Sequence, residues 1–171
     1  MDALNECRTM TKDQRKQIAL EYMKGIDRPS EIMHLFADDA EVCFPKWGIA
    51  SGREQILRLW SDIGTIIGSL KHDYAHFNFY SEGDVLVVEG TSFGETKDGV
   101  RFRAGMNHAG QFTDVFEIRD FKIQRLYIYL DPDYWGANTA PYPWLARHEQ
   151  WPKSGSWSQD GHGPLNESFA R

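Results

Sequence analysis

Cysteine is scarce in this chain: two residues, Cys7 and Cys43, in 171. Two thiols make neither a disulfide framework nor a zinc-ligand set, and they predict a reducing, cytoplasmic setting. Long hydrophobic runs are missing as well. The longest, such as Val85–Val88, hold about four or five residues, far fewer than a membrane-spanning helix needs. Residues 1–17 carry no apolar stretch and predict no secretory signal. No basic block stands out, and 19 Lys and Arg against 25 Asp and Glu leave a formal net charge of −6, which argues against a nucleic-acid partner. There is no Gly-rich phosphate loop, no G-x-S-x-G elbow, no dinucleotide fingerprint and no internal repeat. His72 and His76 are four apart, but on a strand that separates them by roughly 13 Å. No other His, Cys, Asp or Glu grouping has ligand spacing, so neither a metal nor a cofactor is expected.

Aromatic residues are plentiful: ten Phe, seven Tyr and six Trp within a composition 41% hydrophobic. That excludes a disordered chain, and the length suits one domain with a core large enough to hold a cavity. Thr11–Gly25 has apolar residues at helical spacing (Ile18, Tyr22, Met23), with Thr11 and Gln14 spaced as a capping box. A short second helix is expected from Ser30 through Phe36, broken by Asp38-Asp39, and then a strand over Glu41–Phe44. Ser51 to Gly68 predicts a third helix, with Ser51 and Glu54 as its capping box and Gly68 closing it.

From Leu70 the period changes to two. Strands are expected over Leu70–Tyr80, Val85–Glu95, Arg101–Ile118 and Lys122–Leu130, joined by tight turns, with Gly105 and Gly110 as bulge candidates. Helices first and a meander after them predict an α+β domain: a curved antiparallel sheet with helices on one face. Residues 132–171 differ, holding five of the seven prolines and four of the six tryptophans. The predicted organisation is therefore a domain over 1–131 and a Pro/Trp-rich extension over 132–171. The extension is expected to pack on the domain or on a partner subunit, with order fading toward the end.

Several side chains stand out as candidates. Asp114 shares strand parity with Phe112, Phe116 and Ile118. If those face the helices, its carboxyl enters an apolar cavity, where desolvation raises its pKa and suits it to proton transfer; the alternative is a salt-bridged strand residue. His72, Tyr74, His76, Asn78 and Tyr80 alternate onto one face. Either that face lines a pocket, with His76 shuttling protons, or it is the outer face of a dimer. His108 shares parity with Asp114 unless a bulge intervenes. Tyr22 and Trp60 belong either to the core or to a ligand wall. Trp47 sits in an exposed turn, as a pocket lip or a seat for the extension. Asp131 either closes the last strand or reaches the cavity mouth.

Three stretches, Leu35-Phe36-Ala37-Asp38-Asp39-Ala40-Glu41-Val42, Gly52-Arg53-Glu54-Gln55-Ile56 and Asp114 through Ile123, resemble the nuclear transport factor 2-like superfamily. This is the cone-shaped α+β fold of SnoaL-like polyketide cyclases, ketosteroid isomerases and scytalone dehydratases. The resemblance covers roughly residues 11–131. It implies a sheet wrapped around the N-terminal helices, and an acid/base aspartate at Asp114. The general-base aspartate of the ketosteroid isomerases falls here on Phe44, before Pro45, so that version of the base is absent. Phe44 instead joins Phe112 and Phe116 as expected apolar wall. Together these readings predict a cofactor-free enzyme acting on an apolar cyclic or polyketide-like molecule by cyclisation, isomerisation or dehydration. Asp114 moves the proton, and His76, His108 or Tyr22 steadies the developing oxyanion. A non-catalytic binding or interaction module of the same fold is the alternative. A homodimer is expected in either case, with no membrane partner.

Overall fold

The computed structural model describes residues 9–28, 31–103 and 110–130. Helix α1 (Lys12–Asp27) begins at Thr11, whose side chain accepts from the Gln14 backbone while the Gln14 side chain accepts from Thr11, the reciprocal cap that the spacing predicts. After a 3-10 turn at Met33–Leu35 come β1 (Phe36–Phe44), β2 (Gly48–Ser51) and α2 (Gly52–Ile63). Then follow β3 (Ile67–His72), a 3-10 turn at Tyr74–His76, β4 (Asn78–Glu82), β5 (Val85–Thr96), β6 (Arg101–Arg103), β7 (Gln111–Arg119) and β8 (Lys122–Leu130). No described helix is long and apolar enough to cross a membrane.

The strands form one eight-stranded sheet, β2-β1-β8-β7-β5-β3, with β4 and β6 also on β5. Its inner face meets the helices. Phe112, Asp114, Phe116 and Ile118 alternate inward on β7, and Leu126 and Ile128 do so on β8. They pack toward Ile18, Ala19, Tyr22 and Met23 of α1 and Ile56, Leu59 and Ile63 of α2. The buried Arg15 guanidinium fastens α1 to the end of β7 and the turn before β5, donating to Ile118 O (3.1 Å) and pairing with Asp84, and it also donates to Met10 O (2.9 Å).

Four expectations change. The second helix reduces to one 3-10 turn, and Phe36 already belongs to β1, which runs through Asp38-Asp39. A register shift between Phe36 and Glu41 absorbs that exposed acidic pair as a bulge. The third helix ends at Ile63 instead of Gly68, so Ile67 and Gly68 belong to β3. Its cap also differs: the Ser51 N–H donates to Gln55 Oε1 (2.9 Å), and Ser51 makes no side-chain cap bond. The strand over Leu70–Tyr80 is broken in two, because β3 and β4 pair with different halves of β5. The break lies against Gly90, where a Cβ would stand 2.6 Å from the Phe77 ring; only glycine lets Phe77 sit there. Finally, the sheet is mixed. β1 pairs with β8 in parallel, since its neighbour is the far end of the chain and not a hairpin partner.

Candidate functional site

Between the helices and the inner sheet face lies a cavity of about 920 Å³. α1 supplies Tyr22 and Asp27, α2 supplies Trp60, β3 supplies His72, and β7 supplies Phe112 and Asp114. Two polar stations, Asp114 and the Asp27–His72 pair, stand among mostly apolar lining residues, with Glu31, Ser69 and Lys71 also on the wall.

The first station is Asp114. It is 4% exposed, and its Oδ1 has no hydrogen-bond partner among the described residues. Burial pushes its carboxyl well above the usual carboxylate range, because desolvation penalises the charged form. Tyr22 lies close by. Burial, and then the charge that Asp114 would carry, raise its phenol well above the ordinary value. Edge contacts to Phe36 (5.9 Å) and Phe116 (5.6 Å) and a tilted contact to Trp60 (6.1 Å) hold its ring. Burial thus favours the protonated, hydrogen-bond-donating form of both side chains.

The second station is built across the chain. The last residue of α1, Asp27, accepts His72 Nδ1 on Oδ1 at 2.6 Å, and on Oδ2 both the His72 N–H (2.9 Å) and the Tyr74 hydroxyl (2.6 Å). Burial pushes the Asp27 carboxyl up, but the His72 hydrogen bond and charge, the His72 backbone and the Tyr74 hydroxyl together hold it below its usual value. An ionised Asp27 makes Nδ1 the protonated ring nitrogen and leaves Nε2 as the basic one. His72 stands edge-on to Phe112, ring centroids 5.2 Å apart. Asp114 is the next residue on that face of β7, about 7 Å further along. The imidazole of His72 and the carboxyl of Asp114 therefore line the same cavity. Among the described residues, no three His, Cys, Asp or Glu side chains converge as a metal site.

The family model for the SnoaL-like domain matches residues 25–126, more than half of the chain. The chain belongs to the SnoaL-like domain family. Solved structures agree with that fold. An NTF2-like protein of unknown function from Burkholderia pseudomallei is 16% identical with a TM-score of 0.60, over 80% of this chain and 98% of that one. TerC, co-crystallised with polyporic acid, is 19% identical with a TM-score of 0.58, over 80% and 97%. A putative polyketide cyclase from Sinorhizobium meliloti is 21% identical with a TM-score of 0.50, over 66% and 94%. At these identities the likeness concerns fold alone. No curated protein matches the chain.

Of the residues predicted for the site of this SnoaL-like domain, Asp114, Tyr22, Trp60, Phe44 and Phe112 line one cavity. Phe116 is fully buried behind Tyr22 and is not part of the lining. Trp47 is 40% exposed in the β1–β2 turn, away from the lining. His76 belongs to the 3-10 turn, where Nδ1 meets Asp73 Oδ1 at 3.1 Å, and it too lies outside the lining. His108 and Asp131 fall outside the described residues, as does the extension over 132–171. Asp27 was missed: as the last helical residue, before Arg28-Pro29, it reads locally as a helix end. His72, which the alternation places on the same face as His76, lines the cavity in place of His76.

Proposed function

We propose that this SnoaL-like domain is a cofactor-independent enzyme performing acid/base chemistry on an apolar, cyclic or polyketide-like substrate: cyclisation, isomerisation or dehydration. The observation that carries this reading is the pairing, in one cavity, of an imidazole oriented by a carboxylate with a buried carboxyl whose Oδ1 has no partner among the described residues. His72 Nε2 takes a proton from an acidic C–H or O–H of the substrate, and Asp27 stabilises the imidazolium that forms. The Asp114 carboxyl and the Tyr22 phenol donate to the oxygen on which charge develops. The proton then returns from His72 to carbon or to a leaving hydroxyl. Phe112, Phe44 and Trp60 exclude water around the ring.

The test is a thermal-shift and product screen of wild type, Asp114→Asn and His72→Gln against aromatic polyketides, steroids, terpenoids and cyclic enones. The reading expects a compound that stabilises all three proteins and is converted only by wild type. A compound that binds all three and is converted by none makes the cavity a binding site instead.

The same reading includes a homodimer packed through the outer sheet face. Its support is a row of apolar side chains across six strands. The pairings Ile49–Cys43, Cys43–Tyr127, Tyr127–Val115, Val115–Val87 and Val87–Tyr80 place these residues side by side. The Glu41, Arg125 and Glu117 row flanks them. Cysteine usage supports a cytoplasmic setting.

A further inference from the structure

Tyr74 has no place in the chemistry above, yet its hydroxyl is spent on Asp27. The Tyr74–His76 turn interrupts what would otherwise be a strand, and it carries the phenol to the end of α1, where the O–H donates to Asp27 Oδ2 at 2.6 Å. The ring is held by Phe77 at 5.3 Å and lies 6.4 Å from the His72 ring. Three strands of contact converge on one helix end: Lys71 Nζ donates to Asp27 O (2.8 Å), His72 binds both carboxylate oxygens, and Tyr74 closes the second.

We propose that Tyr74 is a positioning residue of the site: by occupying Asp27 Oδ2 it fixes the carboxylate plane so that Oδ1 faces His72 Nδ1, which holds the imidazole in the tautomer with Nε2 free for the cavity. Without the hydroxyl, Oδ2 keeps one bond, to the His72 N–H. The carboxylate is then freer to turn about its last torsion, which weakens its selection of Nδ1. Tyrosine suits the task because it is a neutral donor. Burial and the Asp27 carboxylate raise its phenol above the ordinary tyrosine value, so it stays protonated while Asp27 stays charged. A second cation in its place would compete with His72 for the same carboxylate. The charged and titratable groups around Asp27 are His72 and Lys71 from β3, Tyr74 from the turn and Arg28 next in the chain.

This inference rests on the acid/base reading of the cavity, but its test needs no substrate, so the two fail separately. The full chain, labelled with ¹⁵N in its histidines and ¹³C in its aspartates, is compared with Tyr74→Phe by NMR at neutral pH. Wild type is expected to show His72 as a single Nδ1–H tautomer. Tyr74→Phe, which keeps the ring, is expected to show a mixture of both tautomers and an Asp27 titration midpoint moved upward. Phe77→Leu is the packing control: it disturbs the ring cluster, keeps the hydroxyl and is expected to retain the single tautomer. Should Tyr74→Phe not fold, difluorotyrosine placed at position 74 keeps ring and hydroxyl and donates more strongly, and it should move the Asp27 midpoint downward. An unchanged tautomer and midpoint in Tyr74→Phe, an unmoved midpoint with difluorotyrosine, or the same tautomer mixture in Phe77→Leu, overturns the proposal.

Discussion

His72 and Asp27 come from positions 45 residues apart, and their side chains meet at 2.6 Å at the edge of the cavity. A helix end and a strand end supply the pair, so its geometry depends on how α1 lies across the sheet. Arg15 at the other end of α1 helps to set that placement, through bonds to Ile118 O and Met10 O.

Asp114→Asn separates catalysis from stability. In the proposed reaction the Asp114 carboxyl donates to the developing oxyanion, and the weaker amide donor is expected to lower turnover by about 10²–10³-fold while ligand affinity is retained. Stability moves the other way. The folded-state pKa of Asp114 is raised by burial, so the native state holds a proton that the unfolded chain releases above the ordinary aspartate pKa. Wild-type stability is therefore lost as pH rises from that value toward the folded one. Asparagine does not titrate. The melting temperature of the variant, relative to wild type, is expected to be highest at neutral pH, with the gain shrinking as pH falls to about 4.

Asp27→Asn has the opposite pH signature. Asp27 is held below its usual value, so its contribution is fully present above the unfolded pKa and is lost as pH falls through the folded one. The substitution is expected to cost about 1–3 kcal/mol at pH 7, since the His72 and Tyr74 donors lose a charged acceptor. Urea titrations at neutral pH and near pH 3 check this: the gap between variant and wild type narrows in acid.

Gly90→Ala tests how the cavity floor is seated. The added Cβ would lie 2.6 and 2.8 Å from Phe77 ring atoms and 3.1 Å from Phe112, so both rings must move. A loss of about 1–3 kcal/mol is expected by denaturant unfolding. Because Phe112 packs on His72, the variant should also weaken binding of any cavity ligand, read by calorimetry.

Val115→Lys probes the outer sheet face. Val115 stands between Tyr127 and Val87 in the apolar row. A charge at its centre is expected to convert the proposed dimer to a monomer in light scattering and to leave the far-UV circular dichroism unchanged. A wild-type monomer at high micromolar concentration removes the dimer from the reading.

What the sequence determined by itself is what neighbours along the chain decide. Thr11 and Gln14 are three residues apart and cap α1 as their spacing predicts, although the same spacing at Ser51 and Glu54 makes no such cap. β8 spans Lys122–Leu130 as its alternation predicts, and on β7 the period of two turns Phe112, Asp114 and Phe116 to one buried face. An aspartate in that apolar set is legible from the sequence as a candidate buried carboxyl. Tertiary structure alone decided the rest. Direction in β1 is set by its parallel partner β8, far along the chain. The break after His72 comes from Phe77 seating on Gly90, a contact that no alternation records. His72 and His76 share a strand pattern, yet only His72 meets the carboxylate at the end of α1. Local sequence sets which face a side chain takes; which distant group it meets there follows from packing the whole sheet against the helices.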